Sequence, residues 1–359
     1  MTASAFGRGF LPGPVDVRPE IAQAALGPML SPWSEAGAAL FSGLQAPLRE
    51  LFRTASPVML AASSATGMIE AAVRNGVLRR VLVPSNGFFG EWLAGVAEAC
   101  GREVSRLEAP PGRAIDPDAL ARALDSRSAD AVALVHSETS TGVLNPLPEL
   151  ARVVRERSDA LLLVDAVTSL GALPVETDAW GLDFVLTGSQ KALALPPGLA
   201  LAAASERMLA RAATLAARGW YFDLLKYAQA ARTDRPTQTP AVSLIYALQR
   251  QLARTTGAGG VAARWSRHRE LLATLERWVA TRDGVALLAA PGERSWAVSA
   301  LTFESGVDVW SVVREMHRRG WRLTGGLGAL ADRVLRVGHM GDLEPVHLEA
   351  MLADLGELV

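Results

Sequence analysis

Short apolar runs alternate with amphipathic stretches from residue 57 to residue 203. Residues 57–62 (PVMLAA), 79–83 (RRVLV), 130–135 (DAVALV), 160–165 (ALLLVD), 183–187 (DFVLT) and 198–203 (GLALAA) are strand-length and apolar through their centres. Continuous runs of this kind suit strands buried on both faces of a parallel sheet, because a strand with one wet face would alternate. Between them, 67–76, 90–100, 116–124 and 147–157 repeat apolar residues at helical spacing. Thr66 with Glu70, Pro117 and Gly101 supply boundary signals for these helices. Strands alternating with helices predict an α/β doubly wound sheet.

Beyond residue 205 the pattern turns helical up to 282. Helices are expected over 240–255 and 258–281, with the glycine-rich stretch 255–260 (TTGAGG) as the turn between them. From 284 the order becomes strand (297–303), helix (308–319), strands (320–324 and 333–337) and helix (344–355). That order reads as a small α+β domain. The expected division is therefore an N-terminal segment 1–20, a large α/β domain 21–255 and a small C-terminal domain 256–359.

Composition narrows the function. A chain of 359 residues, half of them apolar, can build about two cores. A net charge of −1 supplies no basic field for nucleic acid or anionic lipid. Cys100 is the single cysteine, which rules out an internal disulfide and a Cys-based metal cluster and fits a reducing cytoplasm. No long apolar stretch opens the chain, and the longest apolar runs are strand-length, so neither a signal peptide nor a membrane span is expected. No metal site is expected either.

The chemistry-bearing positions lie where the predicted strands end. The strand 160–165 ends in Asp165, and a carboxylate there is costly to bury without a partner. The strand 183–187 leads into Gly188-Ser189-Gln190-Lys191, a small-residue turn carrying one lysine. Lys191 and Lys226 are the only lysines in a chain whose lysines and arginines together number 36. An Asp able to hold a proton on a pyridine nitrogen, followed by a Lys able to condense with an aldehyde, is what a pyridoxal-phosphate enzyme requires. The bland readings are a turn Asp and a surface Lys, and Lys226 reads as a helix-surface residue. Ser63-Ser64-Ala65-Thr66-Gly67 joins a strand to a helix and exposes backbone N–H groups suited to a phosphate. Asn86-Gly87-Phe88-Phe89-Gly90 opens the next helix and offers an aromatic face, for a ring or for the core. The segment 136–142 (HSETSTG) is a dense polar cluster at the same sheet edge. Its composition allows a Ser/His/Glu hydrolase, but no G-x-S-x-G elbow is present, and His136 reads as a satisfied structural histidine. Neither G-x-G-x-x-G nor a Walker A pattern occurs, and Gly325-Gly326-Leu327-Gly328 reads as a turn. Arg336, amid apolar residues in VLRVG, calls for an anion: a substrate carboxylate or an internal salt bridge.

Together these motifs resemble class V pyridoxal-phosphate aminotransferases of the alanine–glyoxylate and serine–pyruvate type. The resemblance runs through PGP at 12–14, ATGMIEAA at 65–72, NGFFG at 86–90, ETSTG at 138–142, VDAVTSLG at 164–171, GSQKAL at 188–193, PPG at 196–198 and GGLG…LRVGHMG at 325–341. It implies a fold-type I transferase: a large domain on a mostly parallel sheet and a smaller C-terminal α+β domain. It further implies a homodimer with shared active sites, acting on a small amino acid and a 2-oxo acid. By position, Lys191 looks like the Schiff-base lysine and Asp165 like the partner of the pyridine nitrogen. Val167 and Phe89 would pack on the two ring faces, and Thr139 would lie near the phenolic oxygen. Ser64, Ala65, Thr66 and Gln190 match the phosphate cradle. Thr239 resembles the residue that reaches the phosphate of the neighbouring subunit. Arg336 resembles the clamp on the substrate α-carboxylate, and Gly13 lies on the entry side.

The chain departs from the family pattern in three places. The phosphate turn is SSAT rather than glycine-rich, the His-Arg pair expected near 30–35 is absent, and Pro236 stands where some members place a tyrosine. Two alternatives follow. One is a pyridoxal-phosphate lyase or desulfurase, against which stand Gln190 rather than His before Lys191, Phe89 in place of a stacking His, and Cys100 at a helix end. The other is a non-catalytic relative serving as a binding subunit.

Overall fold

A computed structural model describes residues 6–126, 128–257, 259–304 and 306–359. Residues 1–5 of the N-terminal segment 1–20 and Ala258 of the expected 255–260 turn lie outside the described residues. The chain opens with α1 (Pro19–Ala24), α2 (Glu35–Phe52), β1 (Met59–Ala61), α3 (Ala65–Gly76), β2 (Arg80–Ser85), α4 (Phe88–Ala99) and β3 (Glu103–Glu108). It continues with α5 (Pro117–Ser126), β4 (Ala131–Val135), the short pair β5 (Ser137–Glu138) and β6 (Val143–Leu144), α6 (Leu147–Arg157), β7 (Leu161–Asp165), β8 (Phe184–Gly188) and β9 (Ala200–Ala204). Helices α7 (Glu206–Thr214), α8 (Leu224–Arg232), α9 (Val242–Thr255) and α10 (Gly260–Ala280) follow. The last part holds β10 (Val285–Leu287), β11 (Val298–Phe303), α11 (Val309–Arg318), β12 (Thr324–Gly325), β13 (Val334–Gly338) and α12 (Pro345–Leu355).

Seven strands form one sheet in the order β1-β9-β8-β7-β4-β2-β3. Its centre is parallel (β3, β2, β4, β7 and β8), and β9 and β1 join antiparallel. The α/β sheet expected from the apolar runs is observed, but two of those runs, 57–62 and 198–203, join it antiparallel rather than parallel. The side chains explain why those runs are continuous. Leu162 and Val164 of β7 face one core, with Val132 and Leu134 of β4. Leu161 and Leu163 face the other, with Ala131, Ala133 and Val135. Successive strand residues point to opposite faces, and helices cover both faces, so the centres of these strands are apolar and polar residues come only near their carboxyl ends.

A second, antiparallel sheet runs β10-β11-β13-β12. The N-terminal segment is fastened to it: the Phe10 N–H donates to the Arg322 carbonyl at 2.8 Å, and the Gly338 N–H donates to the Phe10 carbonyl at 2.7 Å. Phe10 is fully buried in the core beneath this sheet. Residues 12–14 are thereby delivered to the turn that follows β8. Two expectations change here. Gly325 belongs to a strand rather than a turn, and the strand expected over 320–324 is regular only at 324–325.

A buried ion pair between α10 and the segment after β13 also reaches the turn after β8. Arg264 of α10 donates to Asp342 at 2.6 Å, with side chains 6% and 0% exposed, and also to the carbonyl of Ala192. Burial works against an ionised Asp342, but the Arg264 charge and hydrogen bonds from Gln251 and Arg264 outweigh it and hold the carboxyl down at about 2. Removing one partner of such a pair strands the other charge in the interior. Arg264→Met should therefore lower the unfolding free energy by about 3 kcal/mol, at the low end of the range because Arg18 and Arg267 remain 3.7 Å from the carboxylate. Urea denaturation checks this. A midpoint equal to that of the unaltered protein would show the pair to be energetically idle.

Candidate active site

The carboxyl ends of β7 and β8 and the N-termini of α3 and α4 converge on a cavity of about 320 Å³. Strand ends at the carboxyl edge of a parallel sheet are where an α/β fold leaves room for a ligand. The lining includes Ser64, Ala65, Thr66, Phe89, Thr139, Asp165, Val167, Gln190 and Lys191. Nine residues read separately along the sequence thus share one surface.

Lys191 is held on all sides. The turn carrying it is pinned by Ser189, whose hydroxyl donates to the Pro196 carbonyl at 2.7 Å and accepts from the Leu199 N–H at 3.2 Å. Nζ donates to the carbonyl of Pro12 and lies 3.4 Å from Thr139 Oγ1 and 5.6 Å from the centroid of the Phe89 ring. Gly13 has φ +109°, and a methyl group added there would come within 2.5 Å of Lys191 Cδ, so only glycine fits. Burial, reinforced by the Arg336 charge, pushes the Lys191 amine down to about 8, against the pull of Asp165 and Glu138.

Asp165 ends β7 and is 6% exposed. Its Oδ1 accepts the Val167 N–H at 2.8 Å, and among the described residues nothing donates to Oδ2. Burial pushes this carboxyl up to about 6, despite that hydrogen bond. A buried carboxylate with an open oxygen facing a cavity suits a cationic N–H partner. Thr139 is positioned by Thr168, hydroxyl to hydroxyl at 2.6 Å.

At the N-terminus of α3 the Gly67 N–H returns to the Ser64 carbonyl at 3.0 Å, while among the described residues nothing accepts from the N–H groups of Ala65 or Thr66. Those free donors at a helix start suit an anion, and the SSAT sequence retains them without extra glycines. An open carboxylate at one end, an anion-binding turn at the other and a buried amine between them fit pyridoxal phosphate.

Arg336 occupies the middle of β13, paired with Thr324 and Ala300, and is 6% exposed. Its Nε donates to the Gly325 carbonyl at 2.8 Å. No carboxylate of the described residues lies within 4 Å of the guanidinium, so the internal salt bridge is not the outcome. Burial pushes this group down to about 10. Thr239 lies apart from the cavity, exposed on the loop before α9, where it borders a separate small recess.

Reading the chain alone missed several groups here. Phe88, Trp92 and Leu327 also line the cavity, the Pro12 carbonyl takes the Lys191 amine, and Glu138 is wholly buried beside the site. An acid inside HSETSTG, with no cation near it in sequence, was the available signal for Glu138. His136 is corrected: it is buried, but its Nδ1 has no partner among the described residues, and burial pushes it down to about 3. Its ring stands edge-on to Trp180, at 6.3 Å between centroids. Among the described residues no group of three or more His, Cys, Asp or Glu side chains could hold a metal ion, and no helix is long and apolar enough to cross a membrane.

Comparison with known proteins agrees with the motif reading. The aminotransferase class-V family model matches residues 81–332. The chain is 36% identical over 330 residues to the soluble hydrogenase small subunit of Synechococcus sp. (strain PCC 6716), covering 88% of this chain and 85% of that protein. It superimposes on the subgroup IV aspartate aminotransferase of Thermus thermophilus with a TM-score of 0.90 at 32% identity, covering 98% of this chain and 99% of that one. With alanine–glyoxylate aminotransferase of Nostoc sp. the TM-score is 0.92 at 30% identity, covering 98% and 94%.

Proposed function

The chain belongs to the class V aminotransferase family, a family dependent on pyridoxal phosphate, and from that premise we propose that it moves an amino group from a small, alanine- or serine-like amino acid to a 2-oxo acid such as glyoxylate or pyruvate. The observation that carries this reading is the single cavity shared by Lys191, Asp165 and the α3 N-terminus. Pyridoxal phosphate, when bound, supplies an electron sink for the charge left as a proton departs from the substrate Cα.

The side chains divide the remaining work. The N–H groups of Ala65 and Thr66, with Ser64 and Gln190 beside them, hold the phosphate. Asp165 offers its open Oδ2 to the pyridinium N–H, and a cation there favours its ionised form. Phe89 and Val167 would flank the ring, and Thr139 would lie near its phenolic oxygen. Lys191 would hold the cofactor through its Nζ, and its amine is the group placed to take and return the proton of the substrate Cα. Arg336 grips the α-carboxylate, setting the Cα–H bond toward Nζ. Burial of the amine and the carboxylate keeps water out of the proton transfer.

Two chains form a homodimer in this reading, with Thr239 reaching the phosphate held by the neighbouring subunit. A cytoplasmic setting suits a chain with one cysteine. The same residues weigh against a purely binding role, because a scaffold has no need of a buried lysine beside an open carboxylate. The test is a visible spectrum of the purified protein with added pyridoxal phosphate, titrated with alanine, serine and glycine. Long-wavelength absorbance should arise with the cofactor, fall with a donor, and be accompanied by a new 2-oxo acid. No absorbance change on adding the cofactor would end the cofactor reading. A cofactor band that no donor alters would return the protein to a binding role, and sulfide release from cysteine would favour the desulfurase.

A further inference from the structure

We propose that Glu138 is a positioning residue of this site: its carboxylate clamps the first turn of α4, holding Phe89 against the cavity, and supplies negative charge shared by Lys191, Asp165 and Arg336. The inference rests on reading the cavity as a pyridoxal-phosphate site.

Helix α4 starts without a cap of its own, because Gly87 stands at its N-cap and has no side chain. The opening amides would be unpaired in a buried setting. They are taken up from across the fold instead. Glu138 Oε2 accepts the N–H groups of Phe89 and Gly90 at 3.0 and 3.1 Å. Oε1 accepts the N–H and hydroxyl of Ser140 at 2.9 and 2.7 Å, and that hydroxyl accepts the Phe88 N–H at 2.9 Å. The approach is close: a methyl group on Gly87 would meet Glu138 Cγ and Ser140 Oγ at 2.5 Å. The residue so fixed is Phe89, whose ring faces the Lys191 amine.

Capping alone does not account for a full carboxylate. A neutral Ser or Asn caps a helix well, whereas a buried charge is costly. Glu138 is 0% exposed and has no cation within 4 Å among the described residues. Four hydrogen bonds and the helix dipole offset part of that burial, which still pushes the carboxyl up from its ordinary value. Its charge bears on three groups from three elements: Lys191 after β8, Asp165 at the end of β7 and Arg336 on β13. The two cations gain from it, and Asp165 is made harder to ionise. The neighbours it bonds directly, Ser140 and the backbone, do not titrate. Removing the charge should therefore weaken proton binding at Lys191 and Asp165 alike.

Two substitutions separate the clamp from the charge. Glu138→Gln keeps the length, leaves one oxygen to accept and removes the charge. Glu138→Asp keeps the charge but retracts by one methylene. Two readouts are made on the full chain. One is the pH midpoint for acylation of Lys191, followed by mass spectrometry without added cofactor. The other is the dissociation constant for pyridoxal phosphate, read from tryptophan fluorescence. In Glu138→Gln the midpoint should move to lower pH and the dissociation constant rise roughly tenfold, the scale of one lost charged hydrogen bond. In Glu138→Asp the midpoint should stay and only the affinity fall. A folded Glu138→Gln protein with both readouts unchanged overturns the proposal, as does a variant whose melting temperature alone drops. Should Glu138→Gln fail to fold, Glu138→Asp decides: a shifted midpoint or an unchanged affinity refutes the assigned roles. If the unaltered protein binds no cofactor, the reading of the cavity fails, but the Lys191 midpoint still judges the charge.

Discussion

Lys191→Ala should lower the rate of amino transfer by roughly three to four orders of magnitude, the upper range for a group that moves the proton in the slow step. The substitution removes the cavity's only amine and leaves behind the Pro12 carbonyl and Thr139 hydroxyl that it occupied. Nothing else in the lining can take a proton from carbon at neutral pH, because Asp165 is committed to the far end of the cavity. A single-turnover measurement with a saturating donor isolates that step. Borohydride reduction should fix the cofactor's mass on the peptide bearing Lys191 and leave it unmodified in the variant. The unaltered protein should show a matching pH dependence. An ordinary lysine amine is protonated until about 10.5, whereas burial and the Arg336 charge push this one down to about 8. The neutral, proton-accepting fraction therefore reaches half near pH 8 and approaches completion only a pH unit or more above it. A Lys191→Ala protein that turns over at the original rate would remove Lys191 from the chemistry altogether.

Arg336→Met should reduce kcat/KM for α-amino acids by roughly 10- to 150-fold, as expected for losing a charge-assisted hydrogen-bonded pair worth about 1.5–3 kcal/mol. Most of the loss should lie in KM, since the carboxylate is gripped equally before and during the reaction. Burying a guanidinium with a single carbonyl for company is unfavourable. The group keeps its remaining N–H donors for an anion that none of its described neighbours supplies. Arg336→Lys should be intermediate, because a point charge lacks the planar fork. The control is a donor amide, which offers no carboxylate: the unaltered protein should discriminate strongly against it, and the Met variant should not. A second effect has a fixed sign. Arg336 lowers the Lys191 pKa, so its removal should move the pH profile of the reaction upward. Equal use of acid and amide by the unaltered protein would show that Arg336 serves another purpose.

Part of this molecule is legible without coordinates because the physics involved is local. A strand covered on both faces has no polar position to display, so β4, β7, β8 and β9 announce themselves as unbroken apolar runs. Where that condition fails, the pattern fails too. β3, Glu103–Glu108, lies at the sheet edge, partly exposed, with a mixed sequence that nothing marks as a strand. Helix α2 runs through Pro47, a residue that argues against a helix when read in sequence. Its buried face, with Leu40, Leu44, Leu48 and Leu51 in the core, outweighs that local preference.

The site divides along the same line. Asp165 and Lys191 are readable because each ends a strand that is itself readable, and parallel strand ends gather at one edge of a sheet. Ser64–Thr66 follows the same logic as a strand-to-helix turn. The sequence thus determined which groups would be offered at that edge. Only the tertiary structure decided what they meet. The Pro12 carbonyl reaches the Lys191 amine across 179 residues, fastened there by the attachment of Phe10 to the second sheet. Glu138 bonds amides 48 and 49 residues away, and among the described residues no carboxylate comes within 4 Å of the Arg336 guanidinium because of what packs around β13. Hydrogen bonds of that span, and the burial that shifts the proton affinities of Lys191, Asp165 and Arg336, depend on how distant segments close over one another. Local periodicity carries no information about that closure.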